Sequence, residues 1–170
     1  GPLTRDIMLA YAARSQGRQP DWAPLAVQYV DFSLWQRALL GSEDDPDSTA
    51  ARQIEYWKAT LAGSPGQLNL PTTWPRPAEP SYRAAAHRFR IGGELNVALH
   101  SFAERERVTV FMVFHAALAV VLSRLSAETD ISIGTPVAGR GERALDDLVG
   151  MFVNTLVLRT EIDAAMSFRE

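Results

Sequence analysis

Three histidines, His87, His100 and His115, are the imidazoles this chain can offer to acid–base or metal chemistry, and each stands alone on its own stretch. No ligand spacing joins them and no carboxylate accompanies them in an HExxH pattern, so the motifs name no metal site. A lone histidine needs geometry before it counts as a base, and all three read as structural. The run GTPVAG from Gly134 to Gly139 could present backbone amides to an anion. It lacks the Lys-Ser/Thr of a phosphate loop, however, and does not fit the dinucleotide fingerprint. Asp146 and Asp147 could be paired acids or calcium ligands, but adjacent carboxylates at a helix start more often serve as a cap and a solvated face. Asn154 interrupts an apolar run with a side chain that both donates and accepts. It is either a polar group facing a site or the mark of a β-bulge or strand-end hydrogen bond.

The elements that must carry these residues follow from periodicity. Leu3, Ile7, Met8 and Tyr11 form the stripe of an amphipathic helix over 3–15, closed by Gly17 and Pro20. A second helix is predicted over 26–40, with Tyr29, Phe32 and Leu39 on its apolar face and Gly41 as its stop. After the solvated SEDDPD stretch, Asp47 or Ser48 caps a third helix through Leu61. Five prolines between Ser64 and Ser81 forbid regular structure and give an extended strap, with Leu70 and Trp74 as its anchors. His87, Phe89 and Ile91 alternate with Arg88 and Arg90 as in a half-exposed strand. Helices follow over 94–107 and from the Thr109 cap through Leu125; the latter is apolar on nearly every face and is expected to be buried on most sides. Short strands are predicted at 131–133 and 152–158, and a helical start at Ser167. Helices covering a sheet are the architecture this order implies, within the α/β class.

Composition sets the outer bounds. With 170 residues, 46% of them apolar, the chain can bury one core as a single domain or lobe. Acidic residues outnumber basic ones, 20 to 17, which gives no support to nucleic-acid binding through net charge. Cysteine is absent, so disulfides and thiolate metal sites are excluded and a cytoplasmic setting fits. The longest apolar stretch is broken by His115, Ser123 and Arg124 and falls short of a membrane span.

Four segments together resemble one family, the condensation domains of nonribosomal peptide synthetases, relatives of chloramphenicol acetyltransferase. They are YVDFSLWQR from Tyr29, YWKATLAG from Tyr56, ISIGTPVAGR from Ile131 and VGMFVNTLVLR from Val149, with LNLPTTWPRP and VTVFMVFHAAL in the expected places between. The resemblance covers 1–170 and implies a chloramphenicol acetyltransferase-like lobe, an α+β sandwich with a mixed sheet covered by helices. The family's catalytic motif, HHxxxDG, has no counterpart in this sequence. The chain is similar to the part of a condensation domain that begins just after that motif, mainly the C-terminal lobe and its connection to an N-terminal lobe. No catalytic residue is therefore assigned within it.

The resemblance implies amide formation between a carrier-bound acyl or peptidyl donor thioester and a carrier-bound aminoacyl acceptor. Both substrates would arrive on phosphopantetheine arms of carrier proteins, with no cofactor or metal bound by this chain itself. Gly134, Thr135 and Asn154 become candidates for a tunnel wall at the junction of two lobes. Arg140 becomes the candidate for an ion pair with the Asp of HHxxxDG, with Arg124 as the alternative. Expected partners are the rest of the same domain, carrier proteins and adjacent synthetase domains, with neither nucleic acid nor membrane, and the isolated piece is expected to self-associate. A second reading is a non-catalytic relative that docks carrier proteins or recruits partner enzymes.

Overall fold

The computed structural model describes residues 1–163 and 165–168. In chain order the elements are α1 (Pro2–Arg14), α2 (Tyr29–Leu40), α3 (Thr49–Leu61), α4 (Gly93–Glu106), α5 (Val110–Ser126), β1 (Asp130–Ala138), a 3-10 turn (Arg143–Leu145) and β2 (Val153–Glu161). The two strands pair with each other in a small antiparallel sheet. The chain divides into two compact units, one of Gly1–Ala62 with Gly134–Leu156, the other of Gly63–Ile133 with Val157–Glu170. Among the described residues no single helix is long and apolar enough to cross a membrane.

In the first unit, local chemistry sets the helix ends. The Gln28 N–H donates to Asp31 Oδ2 at 2.8 Å and satisfies a donor at the start of α2. Gly41 stops α2 with φ of 75°, a conformation that side chains resist. Ser48 caps α3 by accepting from the Ala51 N–H at 3.0 Å, and its hydroxyl donates to the Ser42 carbonyl at 2.6 Å. This cap folds the acidic SEDDPD loop back against the end of α2. The helices α2 and α3 then pack together. The helix expected over 3–15 forms as α1, but its apolar residues are not gathered on one buried face: Leu3, Ile7, Met8 and Tyr11 are all exposed.

In the second unit, Thr109 caps α5 through the Met112 N–H at 3.2 Å, and α4 packs against α5. Burial of α5 is narrower than its composition suggests. Val113 and Ala119 are buried, while Phe111, Met112, Leu118, Val121 and Leu125 stay exposed, because the unit supplies neighbours to only one side of the helix. The Pro-rich strap forms neither helix nor strand and bends at 66–67, 73–74 and 78–79. Its ties are Ser64 to Ser132 between hydroxyls at 3.1 Å and the Asn69 N–H to Glu128 Oε1 at 3.0 Å. Leu70 is half-buried, but Trp74 is 79% exposed and anchors nothing among the described residues. The strand expected over 87–91 is not formed. Its alternation is present, but no neighbouring strand lies beside it, and a period of two without a ladder partner does not make a sheet. The helical start expected at Ser167 runs towards residues 169–170, which lie outside the described residues.

Where β1 enters and β2 leaves, the Ile162 N–H donates to the Thr129 carbonyl at 2.7 Å. Next to this pair Arg159 grips Asp130 with both edges of its fork, Nε to Oδ1 at 2.9 Å and a terminal nitrogen to Oδ2 at 2.7 Å. Those charge-assisted bonds hold the Asp130 carboxyl below its ordinary pKa, against the opposing effect of desolvation. The folded state therefore gives up the Asp130 proton more readily than the unfolded chain does. The resulting stability is complete above about pH 4, the ordinary carboxylate range, and is lost as pH falls through the depressed folded value. In urea titrations of the intact domain between about pH 2 and 6, the stability gap between wild type and Asp130→Asn is expected to be constant at the upper end and to shrink at the lower. A gap independent of pH would contradict this.

Candidate lobe-junction site

The sequence candidates Gly134, Thr135, Arg140 and Asn154 all fall in the first unit, around the connection from β1 to β2. The Gly139 N–H donates to the Phe152 carbonyl at 2.9 Å and closes this loop at its neck. Antiparallel alternation then turns the backbone of residues 137 and 135 towards β2 and that of 138, 136 and 134 away. Pro136 thus sits where its missing N–H removes nothing from the ladder, which explains a proline inside β1. By the same alternation Asn154 faces the ladder through its backbone and Thr155 faces outward.

Space, rather than φ, decides which glycines the loop requires. A methyl group at Gly139 would lie 2.3 Å from the Phe152 oxygen, and one at Gly150 would lie 2.2 Å from Cδ2 of Tyr29. Neither contact is possible without movement. At Gly134 the nearest neighbour is Thr155 Cγ2 at 3.4 Å, and at Gly141 nothing comes within 4 Å. Within GTPVAGRG, space therefore demands glycine at one position, Gly139. Gly150, which sequence reasoning did not single out, is enforced by an aromatic residue on α2.

The loop carries its own apolar core. Leu145, Leu148 and Phe152 are buried with Phe32 of α2, and Val27 and Tyr29 pack against them. The Phe152 ring lies 4.8 Å from that of Phe32 and meets Tyr29 edge-on at 5.4 Å. The Tyr29 hydroxyl donates to the Met151 carbonyl at 2.8 Å, so the ring that fills the space above Gly150 is itself held in place. Tyr29 and Phe32 pack the core as their positions on α2 suggest, while Trp35 remains 49% exposed.

Arg140 stands at the centre of the loop. One terminal nitrogen donates to the Leu145 carbonyl and the other to the Leu148 carbonyl at 2.9 Å. The guanidinium carbon lies 3.9 Å from the centroid of the Phe152 ring. The alternative, Arg124, is exposed on α5. Asp146 and Asp147 do not begin a helix but follow the 3-10 turn. Asp147 pairs with Arg5 of α1, and both side chains are well exposed, so this tie contributes little by itself.

Thr135 is half-buried, and Gly134 and Asn154 are exposed. The Asn154 Oδ1 accepts from the Thr155 N–H at 2.8 Å, a local strand bond that occupies an outward-facing donor. Among the described residues no group of histidine, aspartate and glutamate side chains could hold a metal ion. His87 is exposed and His100 Nδ1 lies 2.9 Å from the Asn96 carbonyl one turn back. His115 Nε2 is buried and has no hydrogen-bond partner among the described residues. All three belong to the second unit, whereas the loop belongs to the first.

The whole chain, residues 1–170, matches the family described as condensation domain. The chain belongs to that family. Among curated relatives it is 56% identical over 169 residues to a dimodular nonribosomal peptide synthase of Bacillus subtilis (strain 168), covering 99% of this chain and 7% of the relative. It is 49% identical over 169 residues to an isonitrile lipopeptide synthase of Mycobacterium tuberculosis (strain ATCC 25618 / H37Rv), again covering 99% of this chain and 7% of the relative. Among solved structures it is similar to the X-domain from teicoplanin biosynthesis, at 34% identity and a TM-score of 0.87, over 99% of this chain and 37% of that one. The first condensation domain of the CDA synthetase shares the fold, with a TM-score of 0.69 at 22% identity, over 99% of this chain and 35% of that one. The condensation-domain chain thus spans a small part of its curated relatives and about a third of the solved domains. Its fold is the chloramphenicol acetyltransferase-like α/β arrangement of those neighbours.

The steric reading gives an ordered set of outcomes. In the intact domain, Gly150→Ala is expected to destabilise by about 1–3 kcal/mol, as overpacking against a held ring does. Gly139→Ala should cost at least as much, because the atom in the way is backbone, and Gly134→Ala should stay within about 0.5 kcal/mol. Denaturant midpoints for the three variants check this order. Equal costs at positions 134 and 139 would refute it.

Proposed function

We propose that this chain forms part of a condensation domain that joins a carrier-bound donor thioester to the amine of a carrier-bound acceptor. The single observation carrying this reading is that the family match spans residues 1–170 while the motif segments from Tyr29, Ile131 and Val149 converge on one clamped loop. In the reaction the acceptor nitrogen attacks the thioester carbonyl, the C–N bond forms and the C–S bond breaks. The proton lost from the amine passes to the departing thiolate. An HHxxxDG histidine, which would orient the amine or take its proton, is not among these 170 residues. The part assigned to these residues is to shape the wall along which a phosphopantetheine arm would reach, with exposed Gly134 and Asn154 and half-buried Thr135 on the strands next to the loop. The wider setting is that of a cytoplasmic synthetase with carrier proteins and neighbouring domains as partners.

A second reading is favoured by one comparison. The X-domain of teicoplanin biosynthesis, solved in a complex with OxyB, matches 98% of this chain with a TM-score of 0.86 at 34% identity. A recruiting platform of that kind would use the same fold to hold a partner enzyme.

Amide formation is the deciding assay. The intact domain containing these residues, given two loaded carriers, is expected to turn over, whereas the 170 residues alone are not, since proximity and preorganisation need the rest of the tunnel. The piece alone is further expected to self-associate through its exposed apolar surface, notably on α1, and to become monodisperse when mixed with the remainder of the domain. Turnover by the 170 residues alone would overturn this division of labour. An intact domain that makes no amide yet binds a partner enzyme would establish the platform instead.

A further inference from the structure

We infer that Tyr29 is a positioning residue, whose ring and hydroxyl together set where the chain enters β2 and so where the wall at Val153 and Asn154 stands. The neck bond from Gly139 to the Phe152 carbonyl lies one residue before β2 begins at Val153. Met151 precedes that bond, outside the ladder, and its carbonyl accepts the Tyr29 hydroxyl at 2.8 Å instead. The hydroxyl reaches it because the ring lies flush on Gly150, where a methyl group would meet Cδ2, Cε2 and Cγ of Tyr29 all within 2.9 Å. The same ring meets Phe152 edge-on at 5.4 Å. One side chain on α2 thus locates three consecutive residues, 150 to 152, at the mouth of the strand. That side chain is itself placed. Tyr29 is the first residue of α2, whose start is fixed by the bond from Gln28 to Asp31, and its own carbonyl accepts from the Ser33 hydroxyl at 3.0 Å. Met151 is 73% exposed, so water can serve its carbonyl once the hydroxyl is gone. The bond therefore contributes position more than stability. Phenylalanine at position 29 would keep the ring contacts and lose only this tether.

This inference deepens the condensation reading and rests on it for its catalytic consequence, but the tether can be read out without catalysis. The Gly139 N–H, bonded to the Phe152 carbonyl, reports opening at the neck through its hydrogen exchange. The Ile162 N–H, bonded to the Thr129 carbonyl in the second unit, is the internal reference. In the intact domain, Tyr29→Phe is expected to speed exchange at Gly139 about three- to tenfold, the range that one net hydrogen bond spans, with Ile162 unchanged. The methyl group of Gly150→Ala pushes the ring off its seat and breaks the same hydroxyl bond. Adding Tyr29→Phe to Gly150→Ala should therefore change exchange at Gly139 no further. For amide formation, Tyr29→Phe should lower kcat on the order of tenfold with little change in KM for either loaded carrier, as misplacement of reacting groups does. Unchanged exchange at Gly139 in Tyr29→Phe would overturn the tether, and so would equal acceleration at Gly139 and Ile162, the mark of general destabilisation. Additive effects of the two substitutions would show that ring seat and hydroxyl act independently, against the proposal. Faster exchange with unchanged kcat would remove the positioning role. A wild-type domain that makes no amide would overturn the condensation reading and, with it, the catalytic consequence, and the exchange would still decide whether Tyr29 holds the neck.

Discussion

The packing of Arg140 over the Phe152 ring, and of Phe152 against the tilted ring of Phe32, is the contact on which the first unit depends. A loop between two strands ordinarily lies on the surface, where water serves its backbone groups. This loop instead sends Leu145 and Leu148 inward against α2, which brings polar backbone close to an apolar core. The geometry works because a planar cation can donate along its edge and stack on its face at the same time. Glycine at 139 and 150 then follows as a consequence: the neck and the Tyr29 contact leave no room for a methyl group.

The second unit rests on different physics. Its sheet end is held by a two-toothed ion pair between Arg159 and Asp130, and its helices by the Thr109 cap of α5 and a narrow apolar seam. Much of α5 and most of α1 present apolar side chains to solvent. The chain spans about a third of the domains whose fold it shares.

Local signals were the legible part of this fold. Ser48, Thr109 and Gly41 mark helix ends because caps act within a few residues, and the alternation around Ile131 and Val153 marks strands that do find each other. His87 to Ile91 carries an equally good alternation but forms no strand, since pairing depends on a neighbour that local pattern cannot specify. Trp74 shows the same limit: its size suggests an anchor, yet the strap is tied by Ser64 and Asn69. At the site, Arg140 was singled out through resemblance, as one half of an ion pair. Its bonds to the Leu145 and Leu148 carbonyls were not legible, because a backbone acceptor has no sequence signature. Gly150 was missed for a related reason: its partner, Tyr29, lies far away along the chain.

The central claim is that the loop and α2 are energetically one body, joined through Phe152 and Phe32. A double-mutant cycle on Phe32→Leu and Phe152→Leu in the intact domain, read by denaturant unfolding, tests it most directly. A coupling of about 0.5–1.5 kcal/mol is expected for rings packed at this separation. Additive effects, with no coupling beyond about 0.3 kcal/mol, would contradict the account.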